Sequence, residues 1–302
     1  MELAALGEEA RRASPELYRD LLESAGRLLR PTLLELQARR AYVLGDLHGD
    51  LESLVKLLEG LGLEEEGTLL ILLGDFVDRG PEQVELLYLL LRLKLQLPNR
   101  IVLLRGNHEG PPWLPVFPHD FPDRLARRYG AAAGELYQKC VELFDALPHA
   151  CRLGDVLLLH GGLPHRARRL EELRNPEPEV LEELLWNDPS EEVAWAEPSP
   201  RGAGYLFGRA VTERFFAEND LRLLVRGHEP CEGFKVNHRG SVLTLFSRLG
   251  PPYYNARAAL LDLVLQGGRL AIDESRLRLL EQDRGVEERR WVALRPLLKQ
   301  QE

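Results

Sequence analysis

Cysteine is scarce in this chain. Three occur, Cys140, Cys151 and Cys231, an odd number with no C-x-x-C pair. That argues against a disulfide-stapled secreted scaffold and against a cysteine-built zinc cage, and it points to a reduced, cytoplasmic setting. No apolar run is long enough to span a bilayer. Glu2, Glu8 and Glu9 in the first thirteen residues are wrong for a signal peptide. Basic charge is in deficit, with 39 Lys and Arg against 48 Asp and Glu and a net charge of -9. A surface dominated by attraction to nucleic acid or anionic lipid is therefore not expected, although a local basic pocket for one phosphate is compatible with that balance. Internal repeats and low-complexity tracts are lacking too.

What is present is an ordinary globular composition, 44% hydrophobic and 29% charged over 302 residues. One domain over 1–302 is expected, with its core at about 30–265. Residues 1–38 read as N-terminal bracing, with two amphipathic helices over 15–37 broken at Pro31. Strands are expected at 41–45, 69–74 and 100–105, with helices at about 50–60 and 81–96 between them, Pro81 opening the second. A proline-rich loop follows to about 122, then a helix at 123–146. Further strands are expected at 155–159, 222–226, 241–246 and 258–265. Residues 171–183 read as an acidic helix and 187–204 as a long loop. The charged C-terminal segment, 275–302, reads as a packed terminal helix.

Three short motifs interlock with these strands. They are Gly45-Asp46-Leu47-His48-Gly49, Gly74-Asp75-Phe76-Val77-Asp78-Arg79-Gly80 and Gly106-Asn107-His108-Glu109. Each follows an all-apolar run of the kind found in buried parallel strands. Polar ligand types thus gather at strand ends, the edge where open α/β sheets bind ligands. His160 and His228 repeat the placement, each ending an apolar strand beside glycine. The set Asp46, His48, Asp75, Asn107, His160 and His228 mixes carboxylate, imidazole and amide, which suits manganese, iron or zinc better than calcium. Asp46 and His48 would serve one ion; Asn107, His160 and His228 the other, with Asp75 bridging. Two such ions can stabilise an in-line displacement at phosphorus.

The three motifs together resemble the phosphoprotein phosphatase (PPP) family of metal-dependent serine/threonine phosphatases, within the metallophosphoesterases. The likeness continues through Leu104-Arg105, His160-Gly161-Gly162-Leu163, Leu184-Leu185-Trp186-Asn187-Asp188-Pro189, Arg201-Gly202, Phe207-Gly208, Arg226-Gly227-His228 and Leu243-Thr244-Leu245-Phe246-Ser247. The resemblance implies an α/β fold, α+β in some schemes: a metallophosphoesterase-like central β-sandwich flanked by helices. It implies two divalent ions, manganese first and iron or zinc as alternatives, and attack by a metal-bound hydroxide on phosphoserine or phosphothreonine of a phosphoprotein or phosphopeptide. His108 then becomes the general acid and Asp78 its carboxylate partner. Arg79, Arg201 and Asn107 become phosphate-binding residues, the guanidinium groups being suited to bidentate contact. Tyr253 or Tyr254 becomes the tyrosine that faces the site.

Competing readings are a nucleotide hydrolase resembling the symmetrical diadenosine tetraphosphatases, and a catalytically dead phosphate-binding scaffold. Glu109 and the Trp186 and Arg201 blocks count against the first, and the complete ligand set against the second. Other residues take plainer readings. Glu109 braces its loop. Arg166, Arg168 and Arg169 form a solvated face. His119, His149, His165 and His238 carry no motif support. The stretch 110–122 departs from the family's helical continuation, and Trp113, Phe117 and Phe121 read either as packing that loop onto the body, the favoured reading, or as lining a substrate entrance.

Overall fold

The computed structural model describes residues 3–283 and 286–299. Two sheets face each other. In the larger, strand Arg40–Leu44 pairs in parallel with Thr68–Leu72, which pairs in parallel with Ile101–Leu103. Arg257–Gln266 joins antiparallel on the other side of Arg40–Leu44. The second sheet runs Leu33–Leu36, Ala150–Leu153, Val156–Leu159, Leu223–Arg226, Val242–Leu245 and Phe234–Asn237. This is the helix-flanked β-sandwich expected from the sequence.

The central strands are largely apolar because both faces are covered. Ala41, Val43, Leu69 and Ile71 point into the layer between the sheets, against Leu158, Val225, Leu243 and Leu261. Their neighbours Tyr42, Leu44, Leu70 and Leu72 point the other way, onto helices Leu3–Arg12, Pro15–Gly26, Leu51–Leu58 and Gln83–Gln96. Period-two alternation of two apolar faces reads in the sequence as a continuous apolar run. The caps are local: Ser14 accepts from the Leu17 nitrogen ahead of Pro15, and Asp50 accepts from that of Ser53 at 3.0 Å. Pro81 lies outside the helix it was expected to open, which begins at Gln83.

Four expectations are corrected. Leu33–Leu36 is a strand, not the second half of a helical pair, because Ala150–Leu153 offers it a parallel edge. The expected helix at 123–146 is two, Phe121–Tyr129 and Ala133–Asp145, divided at Gly130 with φ 54°. The stretch 187–204 contributes to a small sheet of Asp188–Pro189, Ala196–Pro198 and Tyr205–Phe207. The C-terminal segment is a hairpin of Arg276–Asp283 and Val286–Ala293 followed by a short helix, Leu294–Lys299. Leu277 and Leu279 enter the inter-sheet layer while Arg276 and Arg278 stay outside, with Arg276 over the Trp291 ring at 4.0 Å. Residues 1–2, 284–285 and 300–302, which fall within the expected terminal helices, lie outside the described residues.

The two sheets are laced together at one end. The Gly45 nitrogen donates to Ser247 Oγ at 2.8 Å, and the Ser247 nitrogen to the Asp46 carbonyl at 3.1 Å. His160 Nδ1 reaches across to the Leu73 carbonyl at 3.1 Å. All three motifs, with His160 and His228, arrive at this seam.

Candidate metal centre

The backbone at the seam is unusual. His48, Asp75, Asp78, Arg79 and His228 all have φ between 45° and 72°, the left-handed region that non-glycine residues rarely adopt. Each costs roughly 1–2 kcal/mol relative to the right-handed form. The surroundings hold them there. The His48 and Gly49 nitrogens donate to the Asp75 and Phe76 carbonyls at 2.8 and 2.9 Å. Glu109 accepts from the nitrogens of Asp75, Phe76, Val77 and Gly106 at 2.8 to 3.2 Å. It is a brace, as its sequence position suggested. Gly106 lies so near Asp75 that a Cβ there would collide with Asp75 Oδ1.

The six donor residues converge on one buried volume. Asp75 is central: Oδ2 lies 3.3 Å from His48 Nε2, and Oδ1 lies 3.4 Å from His160 Nε2. Asp46 Oδ2 is 3.8 Å from His48 Nε2, and its Oδ1 accepts from the His228 nitrogen at 2.8 Å. Asn107 Oδ1 lies 2.9 Å from His160 Nε2 and 3.1 Å from His228 Nδ1. Two groups of potential ligand atoms result, His48, Asp75 and His108 in one, Asp75, His160 and His228 in the other.

These residues fit divalent cations. The Nδ1 atoms of His48 and His160 donate to the carbonyls of Val77 and Leu73, which turns both Nε2 lone pairs onto Asp75. His228 Nε2 is buried without a hydrogen-bond partner, so a proton there leaves Nδ1 as the inward-facing lone pair. Burial pushes Asp46 up to about 7, and burial with the Asp46 charge pushes Asp75 well above the carboxylate range. Burial likewise holds His48, His160 and His228 well below ordinary imidazole values. Lone pairs and buried carboxylates aimed at one point repel unless a cation lies among them. The mixed nitrogen and oxygen set suits transition metals.

His108 stands beside this volume. Its Nδ1 lies 2.6 Å from Asp78 Oδ2, and its Nε2 faces inward, 4.0 Å from Asp75 Oδ2. Burial works against ionisation of Asp78, but hydrogen bonds from His108 and His119 outweigh it and hold that carboxyl well below its usual range. His119 carries no motif support, yet its Nδ1 sits 2.8 Å from the same oxygen. Nothing local signals this, since Asp78 lies 41 positions away.

Arg79 and Arg201 flank the site. Arg79 donates to the Phe117 carbonyl at 3.2 Å. Arg201 Nε pairs with Asp188 Oδ2 at 2.6 Å, and Asp188 Oδ1 pairs with the fully buried Arg226 at 2.8 Å. Asp188 is thus the anchor of Arg201. Tyr253 stacks on His48 at 5.6 Å. Tyr254 does not share that role: it is 81% exposed. Phe121 is buried against Phe144 as expected, but Trp113 and Phe117 are 53% and 92% exposed, so these two side chains do not pack the loop onto the body. The cluster Arg166, Arg168 and Arg169 is paired with Glu183 and Glu218.

Comparison with known proteins agrees with this geometry. Residues 39–232 match the family model for calcineurin-like phosphoesterases. The chain is similar to a Saccharomyces cerevisiae protein serine/threonine phosphatase, described as similar to human phosphatase PP5. The identity is 27% over 90% of this chain and 91% of that one, with a TM-score of 0.76. A cold-active protein-tyrosine phosphatase from a psychrophilic Shewanella species shares the fold at 18% identity, over 86% of this chain and 82% of that one, with a TM-score of 0.55. The chain belongs to the calcineurin-like phosphoesterases. Within them it is a metal-dependent phosphatase of the phosphoprotein phosphatase kind.

Proposed function

We propose that the protein removes phosphate from phosphoserine and phosphothreonine in proteins, using two divalent ions. The observation that carries this reading is Asp75, whose two oxygens face His48 on one side and His160 on the other. Asp46, His48 and Asp75 would hold one ion; Asp75, Asn107, His160 and His228 the second. Bound there, two ions supply Lewis acidity toward phosphoryl oxygens and lower the pKa of coordinated water. Manganese is the first candidate, with iron or zinc as alternatives.

The chain's own groups do the rest. Arg79 and Arg201 clamp the phosphoryl oxygens, and Asp188 aims Arg201. Asn107 contributes a further polar contact to the phosphate. His108 gives the proton on Nε2 to the departing serine or threonine oxygen as the P–O bond breaks and that oxygen takes the bonding pair. Asp78 keeps the Nδ1 proton and stabilises the imidazolium beforehand. Tyr253, against His48, borders the substrate side. The whole described chain is read as one catalytic domain. A reducing, cytoplasmic compartment fits its three free cysteines. Among the described residues no helix is long and apolar enough to cross a membrane.

The test is a substrate panel on one metal-analysed preparation: phosphoserine, phosphothreonine and phosphotyrosine peptides, diadenosine tetraphosphate and a small aryl phosphate. Phosphoserine or phosphothreonine peptides should lead. A preference of about tenfold in kcat/KM for the dinucleotide or for phosphotyrosine overturns the substrate assignment. No turnover of any member by manganese-loaded protein overturns the enzymatic reading.

A further inference from the structure

The segment at 117–121 wraps the turn at Asp78 and Arg79. Phe117 offers its carbonyl to Arg79 Nη2 at 3.2 Å, and Asp120 Oδ1 accepts from the Arg79 nitrogen at 2.9 Å. Asp120 Oδ2 accepts from Gln83 Nε2 at 3.1 Å, while Gln83 Oε1 accepts from the Asp78 nitrogen at 2.9 Å. The Phe121 nitrogen donates to Asp78 Oδ1 at 2.9 Å. His119 Nδ1 lies 2.8 Å from Asp78 Oδ2, and its Nε2 lies 2.9 Å from the Tyr137 hydroxyl. This is the stretch that departs from the family pattern.

We propose that His119 is a positioning residue for the leaving-group proton: it fixes Asp78, which holds His108, while Tyr137 fixes His119 from behind. The hydrogen-bond roles follow from chemistry. An ionised Asp78 only accepts, so both imidazoles present Nδ1–H to Oδ2. His119 Nε2 is then an acceptor, which the Tyr137 hydroxyl satisfies. A carboxylate holding a single imidazole can turn about its Cβ–Cγ bond. Here the Phe121 amide takes Oδ1 and a second imidazole takes Oδ2, so Asp78 has one orientation. That matters because Asp78 stands on a left-handed backbone, φ 65°, a conformation that its surroundings must hold. The hydrogen bonds of the His119 ring go to Asp78 and Tyr137, so its positioning effect on His108 runs through Asp78.

The inference rests on the assignment of His108 as general acid. The test uses full-length, manganese-loaded protein with a phosphoserine peptide and an activated aryl phosphate, whose leaving group needs little protonation. His119→Ala should lower kcat for the peptide roughly tenfold more than for the aryl ester, part of the roughly 10²–10⁴ that general acid catalysis contributes. Metal content should not change. His119→Asn, whose amide can still donate to Asp78, should recover most of the loss. Tyr137→Phe should show a smaller loss of the same selectivity. Equal loss on both esters, or no rescue by asparagine, overturns the inference. Should the alanine variant not fold, Tyr137→Phe decides, and unaltered ester selectivity there overturns it. His108→Asn is run alongside: if it too lacks ester selectivity, the general-acid assignment itself fails; if it alone shows selectivity, only the role of His119 fails.

Discussion

Glu109 Oε2 lies 2.8 Å from the Asp75 backbone nitrogen, a contact that helps tie the third motif to the second. The same carboxylate also receives the amides of Phe76, Val77 and Gly106. Removing it strands four buried donors. An unsatisfied buried donor costs roughly 1–3 kcal/mol, so Glu109→Ala should lose at least about 3 kcal/mol of stability in denaturant titration. Gln, with one remaining acceptor oxygen, should fall in between. An unchanged midpoint for Glu109→Ala would show that the turn stands without its brace.

His108→Asn should retain both ions and lose turnover of alkyl phosphates by on the order of 10²-fold or more. An activated aryl ester should be affected far less. Steady-state kinetics on both esters, with metal content measured on the same samples, checks it. Full activity toward the alkyl ester removes His108 from its role.

The pair Arg201 and Arg226 separates function from stability, because both lean on Asp188. Arg201 is partly exposed, and replacing it by alanine should raise KM or lower kcat/KM while changing stability by no more than about 1 kcal/mol. Asp188→Ala also deprives the buried Arg226 of a partner and should cost several kcal/mol in addition, about 3–5 for a broken buried pair. Metal loss in Arg201→Ala would make that residue structural.

Asp75→Asn should lower the content of both ions together, since one side chain serves both groups of ligands. Chelation of the parent protein should lower its melting temperature, and added manganese should restore it. A ligand at about one hundred times its Kd contributes about 2.7 kcal/mol. A chelator-treated protein that melts unchanged would speak against ions in this cluster.

Much of this was legible in the sequence because the strands ending at Leu44, Leu72 and Leu103 are buried on both faces and are apolar from Ala41, Leu69 and Ile101 onward. The placement of Asp46, Asp75 and Asn107 just beyond those strand ends follows. The terminal hairpin was not legible. Arg276-Leu277-Arg278-Leu279 alternates as a strand should, but the density of charge in that tail reads equally well as an exposed helix. What decides is the free edge of Arg257–Gln266, a partner that exists only in the fold. Leu33–Leu36 is the same case against Ala150–Leu153. His119 escaped for a related reason, as an interaction between a loop and a motif leaves no periodicity behind it.

The left-handed residues carry one more implication. Backbone torsional energy gathers at His48, Asp75, Asp78, Arg79 and His228, whose side chains face the candidate metal centre. At His48 and Asp78 glycine would relieve the torsion but remove a cation ligand or strand the donors of His108, His119 and Phe121; at Arg79, whose side chain makes an exposed contact with the Phe117 carbonyl, the exchange would gain stability directly at the expense of turnover. Arg79→Gly should therefore yield a descendant that melts higher and turns over more slowly than its parent.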